Sequence, residues 1–227
     1  MNIGTKSVLF GVHQFLLHPF MLAIGWWKAY GFRSVDIGQV PDPEADALNI
    51  FFGGTVILPK HEYASLFRPA LWVAFFVHDL GYLGKPNMDG PEGESHPELG
   101  ARIMRTLFGD AWGDLVLLHS RYYAKKLDRP VSPLCFADKW VIILEPAWLY
   151  LPRVWLSGEL REFVANGQNR VRGSAAGLTE TEAADLLSGE ALRWHRGMCS
   201  YMRRWIDEHA DGKPDTWTRN RHAPGLA

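Results

Sequence analysis

Three segments of the chain place a histidine or an aspartate where the sequence is otherwise strongly apolar. His78 and Asp79 follow a run of seven apolar residues, His119 follows a run of four, and Asp138 stands inside a third apolar stretch. A buried, ionised carboxylate is costly unless it is paired or bound to a metal ion. Neutral imidazole and carboxylate are common ligands of zinc, manganese and iron, so these residues favour a shared divalent metal site.

A fourth candidate ligand, His96, lies where the sequence predicts the start of a helix. In the segment 95–98 (SHPE), Ser95 and Glu98 are spaced to form a capping box around a proline in the first turn. His96 alone could simply occupy the first turn of that helix, and a lone buried histidine is often a satisfied core residue.

Asp138 also has an ordinary explanation when it is taken alone. Its carboxylate could cap a helix, or it could pair with Arg102 or Lys139. These separate explanations would all have to hold independently, whereas one metal site accounts for the whole set. We therefore prefer the shared metal site.

The order of these segments resembles that of the HD superfamily of metal-dependent proteins. The sequence FVHDLG at 76–81 is similar to the signature dyad, in which an apolar helix ends in His-Asp followed by an apolar residue and a glycine. SHPELGA at 95–101 and LHS at 118–120 resemble the segments that supply further histidines in binuclear members, and ADK at 137–139 resembles the closing aspartate. The resemblance covers about 11–145 without the insertion described below, and the four segments in order are far more specific than the dyad alone.

The family pattern also requires a histidine upstream, near the start of the first core helix. His18, which precedes an apolar helical stretch, suits that position best, and His13 is the alternative. His61 is a third candidate, inside a segment that we interpret as an insertion at 33–68. The separation of His18 from His78 is 60 residues (78 − 18), longer than is usual in the family, and the insertion would explain the excess.

The resemblance implies a binuclear site in which the aspartate of the dyad bridges two ions. Such a pair activates a bridging water and binds the oxygens around a phosphorus centre. The cofactor would be one or two divalent ions, drawn from Mn, Fe, Zn, Co, Ni and Mg. The implied ligands are His18, His78, Asp79 and Asp138 for the first ion, and Asp79, His96 and His119 for the second.

A phosphate substrate also needs cationic side chains beside the metal ions. The loop after the dyad normally overlooks the metals in the family, which favours Lys85, although many members carry a lysine where Tyr82 stands here. The other candidate cations, Arg121, Lys125 and Lys126, follow His119 closely in the sequence. For each cation, an ordinary solvated surface position explains the sequence as well as phosphate binding does. The catalytic residues expected from the resemblance are Asp79, Lys85, Arg121 and Lys125, with Lys126 as a further cation.

Two activities share this ligand pattern. The first is hydrolysis of a phosphate ester or anhydride in a nucleotide or other small phosphorylated metabolite. The second is that of a di-iron oxygenase of the myo-inositol oxygenase or organophosphonate-cleaving type, in which a lysine shortly follows the second added histidine, as Lys125 follows His119 here. We expect the hydrolase because hydrolysis is the commoner activity of the fold, which is an argument from analogy. A domain that only binds or regulates is disfavoured because the ligand set is complete.

The elements that carry these residues all have helical sequence patterns, so we expect an all-α fold. An HD-type helical bundle would occupy 1–152, with the insertion at 33–68 between its first two core helices. Regular structure is expected to loosen beyond Pro152, and a C-terminal helical extension, 153–227, would pack on the same domain. A second capping box is expected at 179–182. The main expected helices are 19–30, 70–80, 111–126, 133–144 and 190–209.

The composition limits the partners of the chain. Its 227 residues carry 24 basic and 25 acidic side chains, so no global field would recruit a nucleic-acid polymer, and a small phosphorylated molecule is the expected partner. Two distant cysteines form no disulfide framework and suit a reducing cytoplasm. The apolar stretch 8–32 is interrupted by polar residues and a proline, which favours a buried helix over a membrane span, with peripheral membrane contact as the alternative.

Overall fold

The computed structural model describes residues 1–40, 60–173, 177–210 and 213–217. Within these ranges the chain forms eleven α-helices and one two-stranded sheet, so the all-α expectation is confirmed. The helices are α1 (Ile3–Phe10), α2 (His18–Tyr30), α3 (Pro69–Val77), α4 (Pro97–Phe108), α5 (Asp110–Leu117), α6 (Arg121–Lys126), α7 (Pro133–Leu144), α8 (Ala147–Ser157), α9 (Glu159–Arg172), α10 (Glu180–Leu187) and α11 (Ala191–His209).

Helix α2 crosses the main core and fixes the position of the N-terminal histidine. Pro19 occupies its first turn, where no backbone donor is needed, and Gly31 follows its last residue with a φ of +65°. Leu22 and Trp26, one turn apart, are completely buried in a cluster that α3, α5 and α7 also line. The predicted helix 19–30 is therefore confirmed, with one more residue at its start.

Helix α2 also lies unusually close to α7. A Cβ atom at Gly25 would lie 2.3 Å from the carbonyl oxygen of Ala137, which only a glycine avoids. This approach holds the two helices side by side, next to the position of Asp138. The N-terminal histidine and the closing aspartate, 120 residues apart in sequence (138 − 18), are brought together in this way.

The N-terminal apolar stretch 8–32 is not entirely buried. It contains the end of α1 and all of α2, and α2 leaves Phe20, Ile24 and Trp27 exposed on its outer face. Of the helices in the described ranges, none combines the length and the apolar character needed to cross a membrane.

Helix α3 ends earlier than the pattern 70–80 predicts. Its last residue is Val77, so His78 and Asp79 lie between α3 and a 3₁₀ turn at Leu80–Tyr82. The His78 imidazole bonds the carbonyl oxygen of Phe75 through Nδ1, at 3.0 Å. This carbonyl would accept the next helical hydrogen bond, from the amide of Asp79, so the side chain competes with continuation of the helix. The dyad therefore projects from a helix end.

The single helix expected at 111–126 is wrong. Two helices, α5 and α6, occupy this segment, and His119 lies in the break between them. Ser120 has an extended backbone and its hydroxyl accepts from the amide of Tyr123, so it acts as the N-cap of α6. The apolar periodicity on both sides of the break concealed this cap from the sequence analysis.

The capping box expected at Ser95 is also wrong. His96 precedes α4 in a helical conformation and makes no capping hydrogen bond with its side chain. Ser95 instead donates to the carbonyl oxygen of Glu92 at 2.7 Å, and Glu98 accepts a hydrogen bond from Tyr123. A 3₁₀ turn directly before α4 replaces the extended backbone that a capping box requires.

The segment expected as an insertion, 33–68, carries a two-stranded antiparallel sheet in its described part. Strand β1 (Val35–Val40) pairs with β2 (Lys60–Ala64), with an irregularity between Asp36 and Gly38. Strand β1 contacts α5 and thereby rests on the main core. The apolar stretch around Gly53-Gly54 and Pro59 lies outside the described residues, as does the basic cluster at 219–222.

The C-terminal part is more regular than the sequence predicts. Helix α8 continues through Pro152, where we expected regular structure to loosen, and α9 follows it directly. The capping box of Thr179 and Glu182 at the start of α10 is confirmed, with hydrogen bonds of 3.2 and 2.9 Å. Helix α11 agrees with the prediction 190–209 and packs against α7, α8, α9 and α10. The division of the chain at 152 stays a proposal.

Candidate metal centre

Six histidine and aspartate side chains converge where α2, α3, α4, α7 and the break before α6 meet. They form two groups that share Asp79, and within each group the ligand atoms lie no more than 4.8 Å apart. Five of the six residues are buried, and Asp138 is partly exposed. They are the residues that the sequence resemblance implies: His18, His78, Asp79 and Asp138 in the first group, and Asp79, His96 and His119 in the second.

The first group is centred on His18. Its Nε2 atom lies 3.3 Å from His78 Nε2, 3.4 Å from Asp79 Oδ2 and 3.5 Å from Asp138 Oδ1. His78 Nε2 is 2.9 Å from the same oxygen of Asp79. Two ligand atoms that are each about 2.1 Å from a tetrahedral ion are roughly 3.4 Å apart. The spacing of this group therefore fits a divalent ion.

The second group uses the other oxygen of Asp79. His96 Nε2 and His119 Nε2 each lie 3.5 Å from Asp79 Oδ1, and they are 3.2 Å from one another. The two oxygens of one carboxylate are thus divided between the two groups. This is the arrangement of a carboxylate that bridges two metal ions.

The imidazole rings are held in one orientation by the backbone. Three of the four histidines bond through Nδ1 to a carbonyl oxygen three residues earlier, and a carbonyl oxygen can only accept, so each Nδ1 carries the ring proton. Each Nε2 is then left as a bare lone pair, the form in which imidazole binds a metal. The three bonds join His78 to Phe75, His96 to Gly93, and His119 to Val116.

The contact between His96 and His119 requires a positive charge. In the neutral rings both Nε2 atoms are lone pairs, yet they face each other at 3.2 Å. A proton or a metal ion between them would remove the repulsion. Burial holds the pKa of His96 well below its ordinary value, despite the opposing effect of Asp79. A proton is therefore disfavoured, and a metal ion is favoured.

The carboxylate of Asp79 is ionised although it is buried. Burial alone would raise its pKa, but the neighbouring His78 and His13 outweigh this effect and hold the pKa well below the ordinary value. Its Oδ2 atom is buried and accepts no hydrogen bond from the described residues. In the neutral form of His78, the ring proton is on the opposite nitrogen. Asp79 thus has a charge and a free oxygen to offer to a cation.

His13 lies beside the first group but outside it. Its Nε2 is 3.8 Å from Asp79 Oδ2, whereas its Nδ1 bonds Ser7 Oγ at 2.8 Å and lies 3.4 Å from Glu159. Burial would lower the pKa of His13, but Asp79 and Glu159 raise it to about 9. The first group of ligand atoms includes His18 and not His13, so the geometry favours His18 as the upstream ligand. The side chain of the third candidate, His61, lies outside the described residues.

A close backbone contact after the dyad positions His96. A Cβ atom at Gly81 would lie 2.0 Å from the carbonyl oxygen of His96, so this position admits only glycine. The ring of Tyr82 stacks on the imidazole of His96, with centroids 4.0 Å apart and an angle of 10° between the planes. The glycine and the tyrosine after the dyad thus hold the second group against the first.

Lys139 is a cation at the site that the sequence analysis considered only as a partner of Asp138. Its Nζ lies 2.7 Å from Asp138 Oδ2 and leaves Oδ1 of that carboxylate to face His18. Burial would raise the pKa of Asp138, but Lys139 first and His18 second hold it below its ordinary value. The lysine therefore keeps this carboxylate ionised and occupies one of its oxygens.

Arg121, one of the predicted phosphate-binding residues, lies at the site but is already paired. It is buried, its Nε donates to Asp215 at 2.9 Å, and its guanidinium lies 4.6 Å from the centroid of the Trp205 ring. It also lines the cavity beside the metal groups. The C-terminal segment 213–217 thus contributes to the position of this arginine.

The other predicted cations do not line the cavity. Lys85 donates to Ser95 Oγ at 2.7 Å, next to His96 in the chain, and Lys125 donates to the carbonyl oxygen of Asp215 at 3.4 Å. Lys126 lies over the ring of Tyr123, 5.3 Å from its centroid. Catalytic roles for Lys85 and Lys125 therefore stay predictions, without support from the shape of the site.

A cavity of about 240 Å³ opens from the metal groups toward the C-terminal helices. His18, Asp79, His96, His119 and Asp138 line one part of it. Sequence reasoning missed the other part, because residues of α8, α9 and α11 showed only the apolar stripes of ordinary core packing. These missed residues are Tyr150, Phe163, Trp194, Met198 and Met202.

Comparison of the chain with protein-family models, with curated proteins and with solved structures finds no match. The chemistry of the site is therefore inferred from the geometry of its residues. The described residues contain a buried cluster of histidines and aspartates that can hold one or more divalent metal ions.

Proposed function

We propose that this chain is a metal-dependent phosphohydrolase of the HD superfamily, acting on a phosphate ester or anhydride of a small metabolite. The division of the Asp79 oxygens between two histidine groups is the observation that carries the proposal. The order of the six residues in the sequence supports the family, and the cations Arg121 and Lys139 on the same cavity support a phosphate substrate.

Bound divalent ions would supply a water of lowered pKa and positive charge for the phosphoryl oxygens. The residues of the chain prepare this chemistry. The backbone bonds of the histidines keep their Nε2 atoms unprotonated, and Lys139 holds Asp138 ionised. Asp79 faces both groups and fixes the distance between them.

In the proposed reaction, the oxygen of a water forms a bond to phosphorus and the P–O bond to the leaving group breaks. The proton released by the water is taken up by the leaving oxygen, so a monoester gives an alcohol and inorganic phosphate, and an anhydride gives two acids. Arg121 and Lys139 lie where they can attract the remaining phosphate charge, although each already has an acidic partner.

The experiment that tests this proposal separates hydrolysis from oxygen chemistry. The protein is purified without added metal, its metal content is measured, and phosphate release is followed in air and without oxygen. We expect one or two ions per chain, and phosphate release that a chelator abolishes and that does not depend on oxygen. Oxygen consumption by an iron-loaded protein, without phosphate release, would instead establish the di-iron oxygenase. The ligand variant Asp79→Asn should show no such activity. Its matched control is Asp114→Asn, which changes a partly exposed carboxylate that is paired with arginines.

A further inference from the structure

We infer that the organic part of the substrate is apolar and binds against a wall formed by Tyr150, Phe163, Trp194, Met198 and Met202. This inference rests on the proposed phosphohydrolase function, which it deepens by naming a substrate class. We call these five residues the apolar wall. A cavity of about 240 Å³ is at the small end for ligand sites, so the occupant is a small molecule and not a polymer.

Helix α7 connects the metal end of the cavity to the apolar wall. Asp138, Val141 and Ile142 all line the cavity, and their spacing places them on one face of this helix. Asp138 belongs to the first metal group, whereas Ile142 packs against the hydrophobic cluster that contains Trp194. Asp138 and Ile142 are about one helical turn apart along α7, roughly 6 Å, a separation that a small ester can span.

Helix α11 supplies most of the apolar wall. Trp194, Met198 and Met202 follow one another at intervals of four residues and so share one face. The ring of Trp194 stacks against Phe163 of α9, with centroids 5.9 Å apart and an interplanar angle of 8°, and against Tyr150 of α8 at 6.3 Å. The rings make a rigid surface, and the two unbranched thioethers can adapt to the shape of an alkyl or aryl group.

Apart from the hydroxyl of Tyr150, the apolar wall offers few hydrogen-bonding groups to a polar ligand. Its indole nitrogen, Trp194 Nε1, already donates to the carbonyl oxygen of Phe163 at 3.1 Å. A sugar or base placed here would lose hydrogen bonds to water without replacement, at a cost of about 1–3 kcal/mol for each unsatisfied group.

The polar residues that line the rest of the cavity are engaged within the protein. Asn166 Nδ2 donates to Asp89 Oδ2 at 2.8 Å, and Glu94 and Arg170 also have protein partners. A polar ligand would have to compete for these groups. An apolar group on the phosphate leaves them undisturbed, and the expected substrate is therefore an alkyl or aryl phosphomonoester.

The test compares phosphomonoesters that differ only in their organic part. Ethyl, butyl and hexyl phosphate form the series, and glucose 6-phosphate is the polar match of hexyl phosphate, with the same number of carbons. We expect kcat/KM to rise about two- to fourfold per added methylene, as burial of apolar surface predicts. Hexyl phosphate should exceed both ethyl phosphate and glucose 6-phosphate at least about tenfold.

A variant of the apolar wall and a matched control test whether the dependence on alkyl chain length arises at this surface. Met198→Gln keeps the length of the side chain but adds an amide, and should reduce the ratio of hexyl to ethyl phosphate turnover by about tenfold. Leu192→Gln makes the same type of change on the exposed side of α11, where 66% of Leu192 is accessible, and should leave the ratio unchanged.

Binding of hexyl- and ethylphosphonate, measured by calorimetry, separates this inference from the proposed function. Tighter binding of hexylphosphonate that Met198→Gln removes, without hydrolysis of any ester, would support the apolar wall and refute the hydrolase. Hydrolysis that favours glucose 6-phosphate or a nucleoside monophosphate, with no gain from chain length, would overturn the wall and keep the hydrolase. If neither binding nor hydrolysis depends on chain length, the inference that the apolar wall binds the substrate is also overturned.

Discussion

Two buried carboxylates near the same histidine have opposite surroundings. Glu159 is fully buried and accepts hydrogen bonds from Ser7 Oγ at 2.6 Å, from the hydroxyl of Ser157 and from the amide of Val12 at 3.2 Å. Asp79 is also buried, but its two oxygens are faced by the Nε2 atoms of His78, His96 and His119, which are lone pairs in the neutral rings. His13 lies between the two carboxylates.

The difference supports a structural role for Glu159 and the proposed metal-binding role of Asp79. A carboxylate that is surrounded by protein donors is satisfied when the chain folds, and nothing further is needed. A carboxylate that is surrounded by acceptors stays incomplete until a cation arrives. Glu159 belongs to the first kind and Asp79 to the second, so replacing each one should disturb a different property of the protein.

The largest effect is expected for Asp79→Asn. The neutral amide keeps the shape of the side chain but removes the charge that both groups share, so both ions should be lost and activity should fall on the order of a thousandfold. Metal content of the purified variant and its turnover measure this. Retention of two ions by Asp79→Asn would end the bridging role of this residue.

A large difference is also expected between the two N-terminal histidines. His18→Ala removes a ligand of the first group and should abolish tight metal binding by that group, together with activity, whereas His13→Ala should weaken binding by about 10- to 100-fold, as outer partners do. Metal titration of both variants measures the contrast. If His13→Ala is the severe variant and His18→Ala binds normally, the assignment of the upstream ligand is wrong although a metal site remains.

A smaller change in stoichiometry is expected for His119→Ala. This variant empties the second group, whose other ligands are Asp79 and His96, and leaves the first group complete. We expect one ion to be retained and one to be lost, together with most of the activity. An unchanged metal content in both His119→Ala and His96→Ala would contradict the two-group arrangement.

The sequence singles out the six residues that converge in the structure because each belongs to a short segment of distinctive type and order. His119 shows the limit of this reasoning: the residue lies in the cluster, but the continuous helix expected around it was wrong. The apolar residues on both sides of the break are buried in the same core, so periodicity alone does not reveal that Ser120 starts a new helix.

The contacts that the sequence could not predict join residues far apart in the chain. Glu159 bonds Ser7, 152 residues away, and Arg121 pairs with Asp215, 94 residues away. Each of these residues alone resembles an ordinary surface or helix position. The apolar wall was missed for a similar reason, because the stripe on α11 that includes Met198 has the same pattern whether it faces a core or a cavity.

The smallest effect is expected for Glu159→Gln. Metal content should stay unchanged, because the carboxylate lies outside both groups. The free energy of unfolding should fall by about 1–3 kcal/mol at pH 6, since the amide cannot accept the same bonds and its own donors are left without partners. Thermal and denaturant unfolding of the metal-free protein measure the loss, and the exposed Glu180→Gln is the control.

The loss of stability caused by Glu159→Gln should depend on pH in a defined direction. Burial opposes ionisation, but His13 and the serine hydroxyls hold the pKa of Glu159 below its ordinary value of 4.5, so its stabilising effect is present above that pH and disappears as the pH falls. The pKa of His13 is raised to about 9, so the part of the effect that depends on its charge is complete below pH 6.5 and disappears as the pH rises toward 9. The difference in the free energy of unfolding between the wild type and Glu159→Gln should therefore be largest between about pH 4.5 and 6.5. A difference that stays constant from pH 4 to 9 would show that Glu159 contributes through packing and not through its charge.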